Sequence, residues 1–299
     1  MKFLKTIYLI LILILAVPLI SFAASSIKSP LSIFVSIPPQ AYFVERIGGD
    51  RVAVDILILS GKNPATYSPT FNQIQKLSRA RIFFRIGIPI ENGLIPKINK
   101  MGKKLLIIDT RSGIKMRRLE GRLHQAEKGG IDPHIWLNPK LVKQQAKTIY
   151  NALVSLDPAG NREYTLRFKS FIAELDALDK KIKSAFAPIR GKSFFVFHPA
   201  FGYFADAYGL RQIAVEIEGK TPRGKDLSIF IKRAIKEKAH VVFVQPQFDK
   251  TAAQKIADAI NGAVVSIDPL AKDYLHNLEK MAEKISNTFN ESFLKNEII

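Results

Sequence analysis

The 299-residue chain contains no cysteine, only one tryptophan and only five histidines. The absence of cysteine excludes a disulfide framework and a thiolate metal site, and it also leaves no residue for a bacterial lipid anchor. Acidic residues are scarce too: 26 Asp and Glu stand against 45 Lys and Arg, which gives a formal net charge of +19. The basic residues are spread along the chain and no nucleic-acid motif is present, so no nucleic-acid partner is expected.

The first 23 residues have the pattern of a secretory signal peptide. Lys2 and Lys5 precede a nearly unbroken apolar run, Ile7 to Leu19, and small residues follow around Ala23. The run is shorter than the ~20 residues that a membrane span needs. We therefore expect a cleaved leader over residues 1–23 and, with no lipid-anchor cysteine, a mature protein in the periplasm.

Short apolar runs rich in β-branched and aromatic residues alternate with amphipathic stretches. The candidate strands are Leu31–Ile37, Val52–Leu59, Arg81–Ile86, Leu105–Asp109, Ser193–Phe197, Gln212–Ile217, His240–Val244 and Ala263–Ile267. Near-continuous apolar runs between helical patterns favour parallel strands that are covered on both faces. The sequence thus predicts an α/β fold with two lobes, each containing a mostly parallel four-stranded sheet flanked by helices.

One long helix is predicted between the lobes. Asp157 and Pro158 supply a helix cap and a first-turn proline, and Pro188 ends the pattern. Its apolar stripe has spacings of three and four: Tyr164, Phe168, Phe171, Leu175, Leu178, Ile182 and Ala185. The expected organisation is a lobe over residues 24–157, a linking helix over 158–187 of roughly 45 Å, and a second lobe over 188–299.

Three residues lie where a metal site is expected. His134 stands between a proline-fixed turn and a predicted helix start, His198 follows a strand in a similar His-Pro step, and Asp268 follows the last predicted strand. Ligands of open parallel sheets bind beyond the carboxyl ends of the strands. Nitrogen and carboxylate donors suit zinc, and also manganese or iron(II). Taken singly, the histidines are also compatible with capping or packing roles and Asp268 with an Asx-turn.

Several motifs in this order resemble one family over nearly all of the mature chain. They are Ile37–Asp50, Asp132–Leu137, Phe197–Phe204, Glu216–Lys220, Gln245–Phe248, Asp268–Leu270 and Asp273-Tyr274. The chain resembles the periplasmic metal-binding proteins of zinc and manganese ABC importers, the cluster A-I solute-binding proteins. The resemblance implies that His134, His198 and Asp268 bind a divalent metal in the cleft between the lobes. It also implies delivery to an ABC permease with its ATPase, and a cleft receptor of this kind works as a monomer.

The sequence departs from this family at one ligand. The family's first ligand is the histidine of a Gly-x-x-Pro-His-x-Tyr-x-Pro motif, and the corresponding segment here is Gly61–Pro69, with Ala65 at the histidine position. Alanine has no donor atom, so three protein ligands and an open position remain. Zinc is still the favoured metal, with manganese or iron(II) as alternatives and with weaker binding than a four-ligand site.

Different groups are candidates for the open position. His124, in the charged segment 121–130, and Glu218 are possible additional ligands. Thr66 and Tyr67 are weaker candidates because neutral hydroxyls are poor ligands, and water is the simplest substitute.

Two other functional classes share some of these features. A three-ligand metal with bound water resembles a catalytic zinc site, but the sequence contains no His-Glu-x-x-His motif and no nucleophile elbow, so an enzyme is not expected. The other class is a related binding or adhesion module with weakened or lost metal binding, which the alanine at position 65 favours.

Overall fold

The computed structural model describes residues 29–100, 105–119, 130–216 and 224–289. The predicted signal peptide, His124 and Glu218 lie outside these residues. The described residues contain two sheets whose strands are all parallel. The first sheet has β1 (Leu31–Val35), β2 (Val52–Ile56), β3 (Ile82–Arg85) and β4 (Leu106–Asp109), in the order β2-β1-β3-β4. The second has β5 (Ser193–Val196), β6 (Arg211–Ala214), β7 (Val241–Val244) and β8 (Ala263–Ser266), in the order β6-β5-β7-β8.

The helices connect and cover these strands. In the first half they are α1 (Pro38–Gly48), α2 (Phe71–Arg79), α3 (Pro89–Lys100) and α4 (Pro139–Leu156), followed by the long α5 (Asn161–Phe186). In the second half they are α6 (Gly202–Tyr208), α7 (Lys225–Lys236), α8 (Lys250–Ala259) and α9 (Tyr274–Asn287). No helix in the described part of the chain is both long enough and apolar enough to cross a membrane.

The predicted fold class is confirmed. Each predicted strand agrees with an observed one within three residues at either end, and both sheets are parallel and four-stranded. The central strands explain why the pattern was readable: in β3, Ile82, Phe83 and Phe84 are fully buried, as expected for strands with helices on both faces. Each sheet repeats the same topology, with its first strand between its second and third.

The linking helix differs from its prediction at the first turn. Pro158–Gly160 forms a 3-10 turn, and the α-helix begins at Asn161 and spans 26 residues, or roughly 39 Å. The predicted cap at Asp157 is wrong, because its carboxylate accepts hydrogen bonds from Arg51 Nε and the Tyr164 hydroxyl, both at 2.8 Å, and caps no helix. Burial and this bond to Asp157 raise the pKa of Tyr164 to about 12.

Helix α5 joins the two lobes by packing against both. It contacts α1 and α4 on one side and α6 and α9 on the other. Phe171 and Leu175 are fully buried in an apolar cluster that contains residues of both sheets, from Phe34 to Phe194. Because one continuous core holds the helix and both lobes, their relative position is fixed by packing and not by a flexible hinge.

Loss of a buried ring from α5 is expected to destabilise the whole molecule. Phe171→Ala should lower the free energy of unfolding by about 3–5 kcal/mol, the range for deleting a buried phenylalanine. Leu166→Ala on the same helix is the control, because Leu166 is 62% exposed and its loss should change stability by less than about 0.5 kcal/mol. Urea denaturation followed by circular dichroism measures both, and equal effects would contradict the packing of α5 described above.

Candidate metal centre

A cavity of about 570 Å³ lies between the lobes, at the carboxyl ends of strands of both sheets. Its walls include Ala65, Arg85, Arg111 and His134 from the first half of the chain, and His198 and Gln247 from the second. Loops that follow parallel strands meet at this edge, next to the point where each sheet reverses its strand order. The cavity is therefore in the place where α/β folds commonly bind ligands.

His134 is held by the local backbone that precedes α4. It is the residue before a 3-10 turn, Ile135–Leu137, and the helix predicted after it, α4, begins at Pro139 with Asn138 as its cap. Asp132, fully buried, accepts hydrogen bonds at Oδ1 from the backbone N–H of His134 at 3.0 Å and contacts its Nδ1 at 2.7 Å. This carboxylate fixes both the backbone and the ring of His134.

His198 is held in a comparable way after β5. Its Nδ1 contacts the carboxylate of Glu216, which is only 1% exposed and follows β6. Gln245, fully buried after β7, accepts a hydrogen bond from the His198 backbone N–H at 3.2 Å and donates one to its carbonyl at 2.9 Å. Phe248 stacks on the imidazole, with ring centres 4.8 Å apart. The segments after β6 and β7 thus hold this residue, with Glu216 and Phe248 on its ring and Gln245 on its backbone.

The two imidazoles lie next to each other in an edge-to-face arrangement at the cavity wall. Their ring centres are 5.3 Å apart at an interplanar angle of 74°. Two imidazoles bound to one tetrahedral zinc, with Zn–N bonds near 2.0–2.1 Å, have ring centres about 5 Å apart. The separation therefore fits a shared metal ion.

The orientation of the two rings leaves the Nε2 atom of each imidazole available to bind a metal. A neutral imidazole that donates through Nδ1 to a carboxylate keeps its lone pair on Nε2, and the described residues provide no hydrogen-bond partner for Nε2 of His134 or His198. Burial lowers the pKa of His198 despite the nearby Glu216, which favours the neutral ring. A carboxylate behind each ring is the usual support of a metal-binding histidine. The pair thus fits a divalent metal.

Asp268 occupies a different part of the same edge. Its Oδ1 accepts hydrogen bonds from Gln247 Nε2 at 2.7 Å and from the backbone N–H of Leu270 at 2.9 Å. Gln247 and Leu270 line the cavity, whereas Asp268 is not part of its lining. Within the described residues, no three His, Asp or Glu side chains form a group placed to hold a metal. Only two of the predicted ligands, His134 and His198, are brought together, so the full ligand set stays a prediction.

The carboxylates behind the histidines were not assigned a role from the sequence. Asp132 had a usable signal, since an Asp two residues before a histidine can reach its backbone and ring. Glu216 lies in the Glu216–Lys220 motif, but nothing in the sequence connects it with His198, because it is 18 residues away and reaches that ring only through the pairing of β5 with β6. Arg85 and Arg111, at the ends of β3 and β4, were also missed.

The loop around Ala65 reaches the cavity. Asn63, Pro64 and Ala65 line it, and Asn63 Oδ1 accepts a hydrogen bond from the Ala65 backbone N–H at 2.9 Å, an Asx-turn. The methyl group of Ala65 is exposed and supplies no donor atom. The loop backbone therefore places residue 65 at the cleft, but the alanine side chain cannot bind a metal.

The fold is that of a two-lobed binding protein, in which a packed helix links two parallel α/β lobes. The paired imidazoles in the cleft form a site that suits a metal ion. A family model described as the periplasmic component A of the zinc-uptake complex, ZnuA, matches residues 33–288. The chain belongs to this family, which confirms the resemblance found in the sequence. The family is one of transport receptors.

Individual relatives agree with this assignment. The high-affinity zinc uptake system protein ZnuA of Bacillus subtilis is 27% identical over 250 residues, covering 80% of this chain and 76% of the relative. The manganese ABC transporter substrate-binding lipoprotein PsaA of Streptococcus anginosus is 28% identical over 272 residues, covering 82% and 86%. A crystal structure of ZnuA has a TM-score of 0.81 and 38% identity, covering 86% of this chain and 98% of that one. These similarities do not favour the alternative of a related binding or adhesion module with weakened or lost metal binding.

The carboxylate behind His198 is expected to tune metal affinity. Glu216→Gln should weaken zinc binding by about 10- to 100-fold, because a neutral amide supports the imidazole less well than a carboxylate. Glu283→Gln, an exposed carboxylate of the same lobe, is the matched control and should bind like the unsubstituted protein. Isothermal titration with zinc measures both variants, and an unchanged affinity in Glu216→Gln would contradict the supporting role.

Proposed function

We propose that this chain captures a divalent transition metal in the interlobe cleft and delivers it to an ABC permease with its ATPase, with His134 and His198 as the central ligands. The observation that carries the proposal is the pair of adjacent imidazoles, 5.3 Å apart, each backed by a buried carboxylate. Asp268 is proposed as a third ligand that joins when the metal is present. His124 and Glu218 remain candidates for a further position.

Zinc is the metal that the described ligands favour. Imidazole nitrogens suit zinc and the later first-row metals, whereas manganese prefers oxygen donors. The two placed ligands are both nitrogens, and no carboxylate among the described residues lines the cavity. We therefore propose zinc as the main cargo and manganese or iron(II) as weaker alternatives.

The capture step is proposed to involve a small closure of the cleft. Trp136 Nε1 already donates a hydrogen bond of 2.7 Å to the carbonyl of Pro269 in the second lobe. Tyr203 of that lobe donates one of 3.2 Å to the carbonyl of Asp132. With these bridges and helix α5 in place, metal binding orders loops around the cavity more than it rotates the lobes. The permease then recognises the ordered form in the periplasm.

Thermal unfolding of metal-free protein tests the proposal. Zinc that binds only the folded chain stabilises it by about 4 kcal/mol at a thousandfold excess over the dissociation constant, so the melting temperature should rise with zinc concentration. Trp136 gives a second readout, because the only tryptophan lies with its ring centre 5.1 Å from that of His134. Its fluorescence should saturate at one zinc per chain.

A defined outcome would overturn the proposal. If neither the melting temperature nor the Trp136 fluorescence changes with zinc, manganese or iron(II) up to millimolar concentration, while circular dichroism shows a folded protein, then the cleft is not a metal site.

A further inference from the structure

The wall of the cavity contributed by the first sheet carries two arginines. Arg85 is the last residue of β3, and Arg111 follows the end of β4 by two residues. Both side chains are nearly four-fifths buried, at 23% and 22% exposed, and both line the same cavity as His134 and His198. Neither arginine has a role in holding the two imidazoles.

The carboxylates that pair with these arginines lie outside the cavity wall. Glu91 is fully buried and accepts hydrogen bonds from the backbone N–H groups of Ile86 and Gly87 and from Arg85 Nε at 3.1 Å. Asp109 accepts from Arg111 Nε at 2.9 Å and Nη2 at 2.6 Å. Each carboxylate therefore binds the Nε side of a guanidinium group and orients that group.

The outer edges of both guanidinium groups are left for another partner. Within the described residues, nothing accepts a hydrogen bond from Nη1 or Nη2 of Arg85, or from Nη1 of Arg111. Gly87, with φ of +86°, allows this placement, because a side chain there would overlap the guanidinium of Arg111. The four charges of the cluster cancel in sum, but the positive edges belong to the groups that line the cavity.

The rest of the cavity also suits an anion. Its other polar walls, apart from the histidines, are the neutral amides Asn63, Asn92 and Gln247, and no acidic side chain of the described residues lines it. Pro89 and Asn92, in the first turn of α3, form part of the wall, so the positive end of that helix lies at the same space. The guanidinium groups of the two arginines match the planar geometry of a carboxylate, and the positive end of α3 favours its negative charge.

The size of the cavity exceeds what a metal ion needs. A water molecule takes about 30 Å³ in the liquid, so 570 Å³ corresponds to roughly twenty waters. A metal on two imidazoles has open coordination positions, and Ala65 provides no donor to fill one. A small organic anion is large enough to use the remaining space and can coordinate the metal.

We propose that the cleft binds its metal as a complex with a small multidentate carboxylate anion, which lies against Arg85 and Arg111 and fills the coordination position that Ala65 leaves open. This inference rests on the proposed metal site of His134 and His198. The anion supplies carboxylate oxygens to the metal on one side and accepts hydrogen bonds from the arginines on the other. The cargo is then a chelated metal and not the bare ion.

Equilibrium dialysis with labelled zinc and labelled citrate tests this inference. The protein should retain about one citrate per zinc, and it should retain citrate only when zinc is present, because the anion bridges the metal and the arginines. The double variant Arg85→Gln, Arg111→Gln should lower the ratio of retained citrate to zinc at least about tenfold, since hydrogen bonds between charged groups are the strong class. Arg79→Gln, an exposed arginine of α2, is the matched control and should keep the ratio near one.

A second variant keeps the test decisive if the arginine substitutions prevent folding. Ala65→His places an imidazole at the position assigned to the anion, on an exposed loop, and should bind zinc while retaining little citrate. Sulfate in place of citrate should not be retained with zinc, because it is a poor chelator.

The outcomes separate this inference from the proposed function. Zinc retained without citrate at any citrate concentration would refute the anion site and leave the metal site standing. Citrate retained equally by the arginine variant or by Ala65→His would refute its placement. If no zinc is retained under any condition, the metal site itself is wrong.

Discussion

His198→Ala is expected to weaken zinc binding at least about 100-fold. Four-ligand zinc sites have binding free energies of about 10–16 kcal/mol, or roughly 3 kcal/mol per ligand, and each 1.4 kcal/mol is tenfold in affinity. In this cleft the loss is more severe than in a four-ligand site, because Ala65 has already removed one donor. The variant also leaves the buried Glu216 without the imidazole that it supports. Isothermal titration of metal-free protein measures the change.

The same effect is expected for His134→Ala, because His134 is the only one of the three predicted ligands that comes from the first half of the chain. Without it, a metal on His198 and Asp268 would no longer connect the two lobes. His276→Ala is the control, since His276 is an exposed histidine of α9 outside the cavity wall. Tight zinc binding in both cleft variants, with the control unchanged, would place the metal elsewhere.

Ala65→His is expected to change affinity in the opposite direction, by about 100-fold. An imidazole at this position adds a fourth donor, and the value of one ligand is again roughly 3 kcal/mol. The loop conformation already suits a ligand at this position, because the Asx-turn at Asn63 holds the backbone of residue 65 in the cavity wall. The variant should also bind zinc more selectively against manganese, since the added donor is a nitrogen.

A neighbouring substitution controls for the mere presence of another histidine. Thr66→His adds the same side chain one residue later, at an exposed position that does not line the cavity. Zinc titration should show tighter binding for Ala65→His alone. Equal affinities for the two variants and the unsubstituted protein would mean that residue 65 does not face the metal.

The fold was readable from the sequence because its signals are local and strong. Strands such as β3, buried on both faces, appear as continuous apolar runs, and helix α5 carries an apolar stripe of regular spacing. Local chemistry misled the prediction at Asp157, where Asp-Pro suggested a helix cap. The carboxylate instead bonds Arg51 and Tyr164, and the partner 106 residues earlier in the chain is not visible in a sequence pattern.

The candidate site was predictable only as a set of donor atoms. His134 and His198 were identified from their chain positions, and Ala65 from a motif with one residue changed. The carboxylate behind His198 was not found, because Glu216 meets His198 only where β5 and β6 pair. The two arginines were not found either, because Arg85 and Arg111 reach the same cavity wall only where β3 and β4 pair. The third predicted ligand, Asp268, bonds Gln247 and is not part of the cavity lining, a detail that depends on how two loops pack at one sheet edge.

By itself, the sequence determined the two parallel α/β lobes and the linking helix, and it predicted two histidines as metal ligands. Periodicity and residue type carry that information within a few turns or strands of the chain. Only the tertiary structure decided which nitrogen of each imidazole faces the cleft, and that the cavity wall pairs two histidines with two arginines and no described carboxylate. The physical reason is that these properties depend on contacts between residues far apart in the chain, which form only when the strands of each sheet align and the lobes pack on α5.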